Sequence, residues 1–160
     1  MLGALMFCSK IIMELLPNIH LIGMFVISFT LVFRLKALIP IYVNVLLVGL
    51  YGGFNLWWVP YLYIWTILWA VTMLLPKRMP LKMAAIVYPI VCSLHGFAFG
   101  TLYAPAQALM FGLNFEQTVA WIIAGIPFDV IHGVSNIFTG MLVVPFSELM
   151  KKLSGRKFHA

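Results

Sequence analysis

Residues 56–80 read LWWVPYLYIWTILWAVTMLLPKRMP. From Leu56 to Leu75 no side chain is charged, and the run stops at a basic break framed by Pro76 and Pro80. A helix needs about 20 apolar residues to cross the hydrocarbon of a bilayer, and proline with charge is what ends it. The same alternation of apolar run and break recurs along the chain. Of 160 residues, 64% are hydrophobic and 9% charged, against about 25% charged in a soluble domain. So few charges do not coat a surface facing water, and the expected solvent is lipid. A closed β-barrel would also satisfy its backbone in hydrocarbon. It requires alternating segments of about 10 residues, and the runs here are continuously apolar.

Working outward, breaks fall at Pro17-Asn18, at Arg34-Leu35-Lys36 and across Tyr51 to Asn55. They predict spans over residues 1–16, 19–33, 37–50 and 56–75, followed by 81–100 and 127–150. The expected fold is an all-α, six-helix transmembrane bundle in one domain covering residues 1–160. Met1 to Phe7 has no basic residue and no small-x-small cleavage site follows, so the start reads as the first span and not as a signal peptide.

Arg34 and Lys36 fall in one loop, Lys77, Arg78 and Lys82 in a second, and Lys151, Lys152, Arg156 and Lys157 in the tail. Alternate loops put all of them on one side, which the positive-inside rule makes cytoplasmic. Both termini are then inside. Because these charges only flank spans, they fit membrane orientation better than a nucleic-acid surface. Residues 101–126, with Tyr103, Gln107, Asn114, Glu116 and Gln117, are too polar for a lipid-facing span. They read as an irregular outer loop with one or two short helices, able to cover a site as a lid.

The stretch 125–136 reads GIPFDVIHGVSN. Asp129, His132 and Asn136 recur on one helical face, with Gly133 and Gly140 flanking it so that a neighbour or a ligand approaches closely. Ionisable groups within a bilayer usually face an interior or a cavity. The stripe serves either ligand contact or hydrogen bonding between helices. The fourth span adds Asn55 and the rings of Trp58, Tyr61 and Trp65, which suit stacking a flat heterocycle or core packing. His95 stands near the upper end of the fifth span, and Asn18 and His20 lie in the first outer loop. Lys10 and Glu14, four apart, pair on one helix face.

Cys8 and Cys92 stand alone in apolar runs and read as packing residues, without metal-ligand spacing. No nucleophile elbow, no His-Glu-x-x-His helix and no phosphate-binding glycine loop is present. Any ATP-driven step therefore requires another protein.

In these features the chain resembles the S components of energy-coupling factor transporters. The resemblance is carried by the outer loop, by residues 125–136, by Leu15-Leu16-Pro17-Asn18-Ile19-His20 after a short first span, and by the basic end at Lys151-Lys152. It implies a six-helix prokaryotic plasma-membrane subunit that captures a vitamin, a precursor or a metal ion from outside. It also implies partners, a membrane scaffold (T component) and two ATP-hydrolysing subunits, and a body that topples in the bilayer to deliver its cargo. The family's site, from the outer halves of helices four to six and the loop after helix one, maps onto Asn18, His20, Trp58, Tyr61, His95, Asp129, His132 and Asn136. Asn55, Trp65 and Tyr103 join them as candidates from the residues themselves. The family docks its scaffold through an Ala-x-x-x-Ala pattern on helix one, where this chain has Ala4 and Cys8. The mixed donors and rings suit an organic micronutrient better than a metal ion, and no metal or cofactor is expected. The alternatives are a membrane enzyme using Asp129, His132 and Glu116 as acid–base groups, or a self-sufficient oligomeric transporter.

Overall fold

Ile22–Phe33 forms a helix (α2) in which every residue but Leu31 and Phe33 is buried. A helix apolar on all sides becomes the centre of a bundle. The computed structural model describes residues 1–16, 19–77 and 79–155. Around α2 it places α1 (Leu2–Ile12), α3 (Leu38–Gly52), α4 (Tyr61–Leu74), α5 (Leu81–Phe97), α6 (Phe99–Phe111), α7 (Phe115–Gly140) and α8 (Val143–Leu153), with no strand among the described residues. α2 packs against α4, α5, α7 and α8, while α1 leans on α3 through buried Gly3 and Met6. Asn18, Arg78, Arg156 and Lys157 lie outside the described residues.

The chain reverses after α2 at Arg34, whose φ of 55° is a conformation that side chains rarely adopt. Two bonds hold the reversal. The Arg34 guanidinium donates to the Met73 carbonyl at 3.1 Å, and Trp69 Nε1 donates to the Arg34 carbonyl at 3.1 Å. Both partners lie in the second half of α4. Farther along, Trp58 Nε1 donates to the Val45 carbonyl at 2.8 Å, just before α4 begins. α3 therefore climbs antiparallel to α4, and the bends at 34–37 and 75–77 share one end of the bundle.

Residues 101–126 depart from expectation. They are helical apart from a short turn, not an irregular loop. α5 continues into α6 across Ala98, and α6 stops where Gly112 takes the left-handed conformation (φ 64°). α7 then starts on a capping box: the Asn114 side chain accepts from the Gln117 backbone, and the Gln117 side chain accepts from the Asn114 backbone. Asn114, Glu116 and Gln117 are the start of α7, while Tyr103 and Gln107 lie within α6. At 1.5 Å per residue, the 31 residues of Leu81–Phe111 and the 26 of α7 reach about 46 and 39 Å, more than a ~30 Å hydrocarbon core. The last span is also redrawn: the long helix ends at Gly140, and Val143–Leu153 is a separate amphipathic helix packed on α2 and α5.

Among the described residues, four stretches are long and apolar enough to cross a membrane: Ile22–Gly52, Leu56–Leu74, Leu81–Phe111 and Phe115–Gly140. The first contains the reversal at Arg34, so its arms are 12 and 15 residues. α1, with 11 residues, is about 16 Å long. Side chains are distributed inside out. α7 buries Asp129, Gly133, Ser135, Asn136, Thr139 and Gly140, while Ile126, Phe128, Val130, Ile131, Val134 and Phe138 stand exposed. An apolar surface of that extent aggregates in water and is compatible with lipid.

Candidate functional site

The end of α1, the start of α2, the upper part of α3 and the beginnings of α4 and α6 converge on a cavity of about 340 Å³. That volume lies at the small end of the range for small-molecule sites. Tyr61, Trp65 and Phe99 supply rings whose centroids lie 5.8–6.3 Å apart, and Val45, Val48, Ile19 and Ile22 supply aliphatic wall. His20, Asn44 and His132 bring the polar groups. Lys10 and Glu14, paired at 3.1 Å and partly exposed, sit at the rim.

Three of the lining residues hold a buried polar atom with no hydrogen-bond partner: Nδ1 of His20, Oδ1 of Asn44 and Nδ1 of His132. Buried polar groups are normally satisfied, because leaving one unpaired costs about 1–3 kcal/mol. The imidazoles of His20 and His132 face each other at 5.2 Å, His20 meets Trp65 edge-on at 5.9 Å, and His132 lies 5.2 Å from Phe99. No group of three or more His, Cys, Asp or Glu among the described residues is arranged to hold a metal ion.

Of the sequence-expected residues, the structure gathers His20, Tyr61, Trp65 and His132 on the cavity. Asp129 is engaged elsewhere, both carboxyl oxygens accepting from the Gly100 backbone N–H at 2.9 and 3.1 Å. Asn136 ties α7 to α5, its Nδ2 donating to the Cys92 carbonyl at 3.1 Å. His95 backs the Trp65 ring at 5.6 Å and bonds the Ile64 carbonyl at 3.1 Å. Trp58 is committed to Val45, and Tyr103 to the Trp57 carbonyl and to a stack with Trp121. Asn55 is exposed at the turn between α3 and α4. Glu116 is exposed in the first turn of α7, so Asp129, His132 and Glu116 share no common void. Ala4 and Cys8 both stand on the exposed side of α1. Asn18 falls outside the described residues.

Sequence reasoning missed Asn44, which is 2% exposed on α3. The signal was there: a single Asn inside the apolar run 37–50, where a polar group is costly and faces an interior. It also read Lys10 and Glu14 as a structural pair, or one reaching another subunit, whereas they border the cavity.

His20, in the segment before α2, carries a pH prediction. Burial, followed by the facing His132, lowers its pKa from 6.5 to about 3. An unfolded chain takes up this proton below about 6.5, and the folded chain only near 3. Between those values the unfolded state binds more protons, so the fold loses stability as pH falls. His20→Gln, which does not titrate, is expected to flatten the decline of melting temperature between pH 6.5 and 4. An unchanged slope contradicts this.

Comparisons with protein-family models, with curated proteins and with solved structures found no match.

Proposed function

We propose that the chain is a substrate-binding S component of an energy-coupling factor importer, capturing a small organic micronutrient. One observation carries the reading: a cavity walled by Tyr61, Trp65 and Phe99, whose lining residues His20, Asn44 and His132 each hold a buried polar atom without a partner in the chain. A concave, ring-walled void with a few polar side chains beside it is the arrangement of a small-molecule site. In this reading α1, α2, α3, α4, α5–α6 and α7 are the six crossings of a prokaryotic plasma membrane. The basic bends and both termini face the cytoplasm, and the cavity opens outward. α1 is free on the face bearing Ala4 and Cys8, where close approach of a scaffold helix is sterically easy. The scaffold and two ATP-hydrolysing subunits supply the energy.

The full chain, tagged and purified in mild detergent from cells grown in rich medium, is expected to bring down a membrane scaffold and ATPases. Native mass spectrometry is expected to find one organic molecule released per chain. Protein that arrives without partners and without a bound molecule overturns the assignment. Turnover of a co-purified molecule by the isolated chain favours a membrane enzyme instead.

A further inference from the structure

We infer that the cavity takes an uncharged, flat heteroaromatic ring with a lactam edge, a ring N–H beside a ring carbonyl, and that Asn44 is the residue that reads this edge. The inference rests on the proposed binding role and adds the chemical class of what is bound.

The reasoning starts from the orphaned atoms. Asn44 is almost wholly buried and its Oδ1 has no partner. A carboxamide offers one acceptor and a pair of donors. Turning it over exchanges their order but not the demand, since either way the occupant must bring both a donor and an acceptor. A lactam edge does so in the plane of one ring. An apolar ring, or one with acceptors alone, leaves part of Asn44 unpaired. His20 and His132 line the same cavity. A neutral histidine carries one donor and one acceptor, and His20 stays neutral above about pH 3. Nδ1 of each lacks a partner in the chain.

Charge narrows the class further. Lys10 and Glu14 are the ionic residues among those lining the cavity, and they neutralise each other at 3.1 Å. A charged ring beside Asn44, His20 and His132 meets no counter-ion there, and an unpaired buried charge is strongly disfavoured. Charge is tolerated only on a substituent reaching the rim, where Lys10 and Glu14 are partly exposed. Flatness follows from Tyr61, Trp65 and Phe99, rings that line the cavity with centroids 5.8–6.3 Å apart and give a planar guest aromatic surface.

The test is equilibrium dialysis of the stripped full chain in detergent against four probes: quinazolin-4-one, its 3-methyl derivative, naphthalene and N-methylquinolinium. Quinazolin-4-one is expected to bind at least about ten-fold tighter than the other three, the scale of one hydrogen-bonded edge. In Asn44→Leu the preference over the 3-methyl derivative is expected to shrink to within about three-fold. Asn44→Asp keeps the shape but changes the donor set, and is expected to weaken quinazolin-4-one if the leucine variant does not fold. Naphthalene or N-methylquinolinium binding as tightly as quinazolin-4-one overturns the inference, as does a preference that survives in both variants. A co-purified molecule that is a permanent ring cation, or lacks an N–H beside a carbonyl, defeats this inference and leaves the importer reading standing. A chain that binds no probe and carries no molecule defeats both.

Discussion

Gly96→Val is expected to lower the melting temperature of the purified chain more than any change at the cavity, and to cut its yield. A Cβ at Gly96 would lie 2.7 Å from Asn136 Nδ2 and 2.8 Å from the carbonyl carbon and oxygen of His132. The obstacle is largely backbone, so no rotamer change relieves it. Gly140 makes the reciprocal approach, where a Cβ would stand 2.6 Å from Pro89 Cα. Among the described residues α5 and α7 share the most extensive helix contact, and these glycines let the two backbones close on each other. Inserting methylene groups into a packed core costs about 1–3 kcal/mol, and valine adds three carbons against main chain. A loss of at least about 3 kcal/mol is expected. Gly125→Ala is the control. It sits within α7 with nothing within 4 Å of its would-be Cβ, and helix propensity alone favours alanine there by about 1 kcal/mol. If Gly96→Val melts where Gly125→Ala does, the close packing of α5 on α7 is wrong.

This contact shows where sequence reading succeeds and where it stops. Gly133 and Gly140 recur on one face of α7, and periodicity alone says that something comes close there. It does not say what. The neighbour is α5, with Phe97 against Gly133 and Pro89 against Gly140. The reversal at Arg34-Leu35-Lys36 and the break after Leu75 were legible because charge and proline interrupt an apolar run. Residues 101–126 were not, because polarity reads the same in a loop as within a helix or at its start. The resolving signal was the Asn114…Gln117 capping box, which marks a helix start whatever the depth. The cavity lining was half legible for a similar reason. His20, Tyr61, Trp65 and His132 come from segments whose ends the breaks predict to be neighbours. Asn44 is single and aperiodic, so it finds its meaning only when α3 climbs beside α4.

The stripe on α7 gives the second large effect, because its members should come apart in experiment. Asp129→Ala removes the carboxyl group that caps α6. Both its oxygens accept from the Gly100 N–H at the start of that helix, in a crevice so narrow that a Cβ on Gly100 would overlap the carboxyl group. Stripping a partner from a buried N–H costs about 1–3 kcal/mol, and that loss is expected in thermal melting. Retention of the co-purifying molecule at a temperature where the variant is folded is expected to change by less than about two-fold, under 0.5 kcal/mol. His132→Ala is expected to do the reverse. Its Nδ1 has no partner in the chain, so the fold gives up no hydrogen bond there. The cavity loses a polar contact and the ring beside His20 and Phe99, and retention is expected to drop at least about ten-fold, equivalent to 1.4 kcal/mol. Two residues one helical turn apart thus report on different things, melting for one and retention for the other. If Asp129→Ala empties the protein while its melting point holds, the carboxyl group belongs to the ligand and the arrangement of α6 against α7 described above is mistaken.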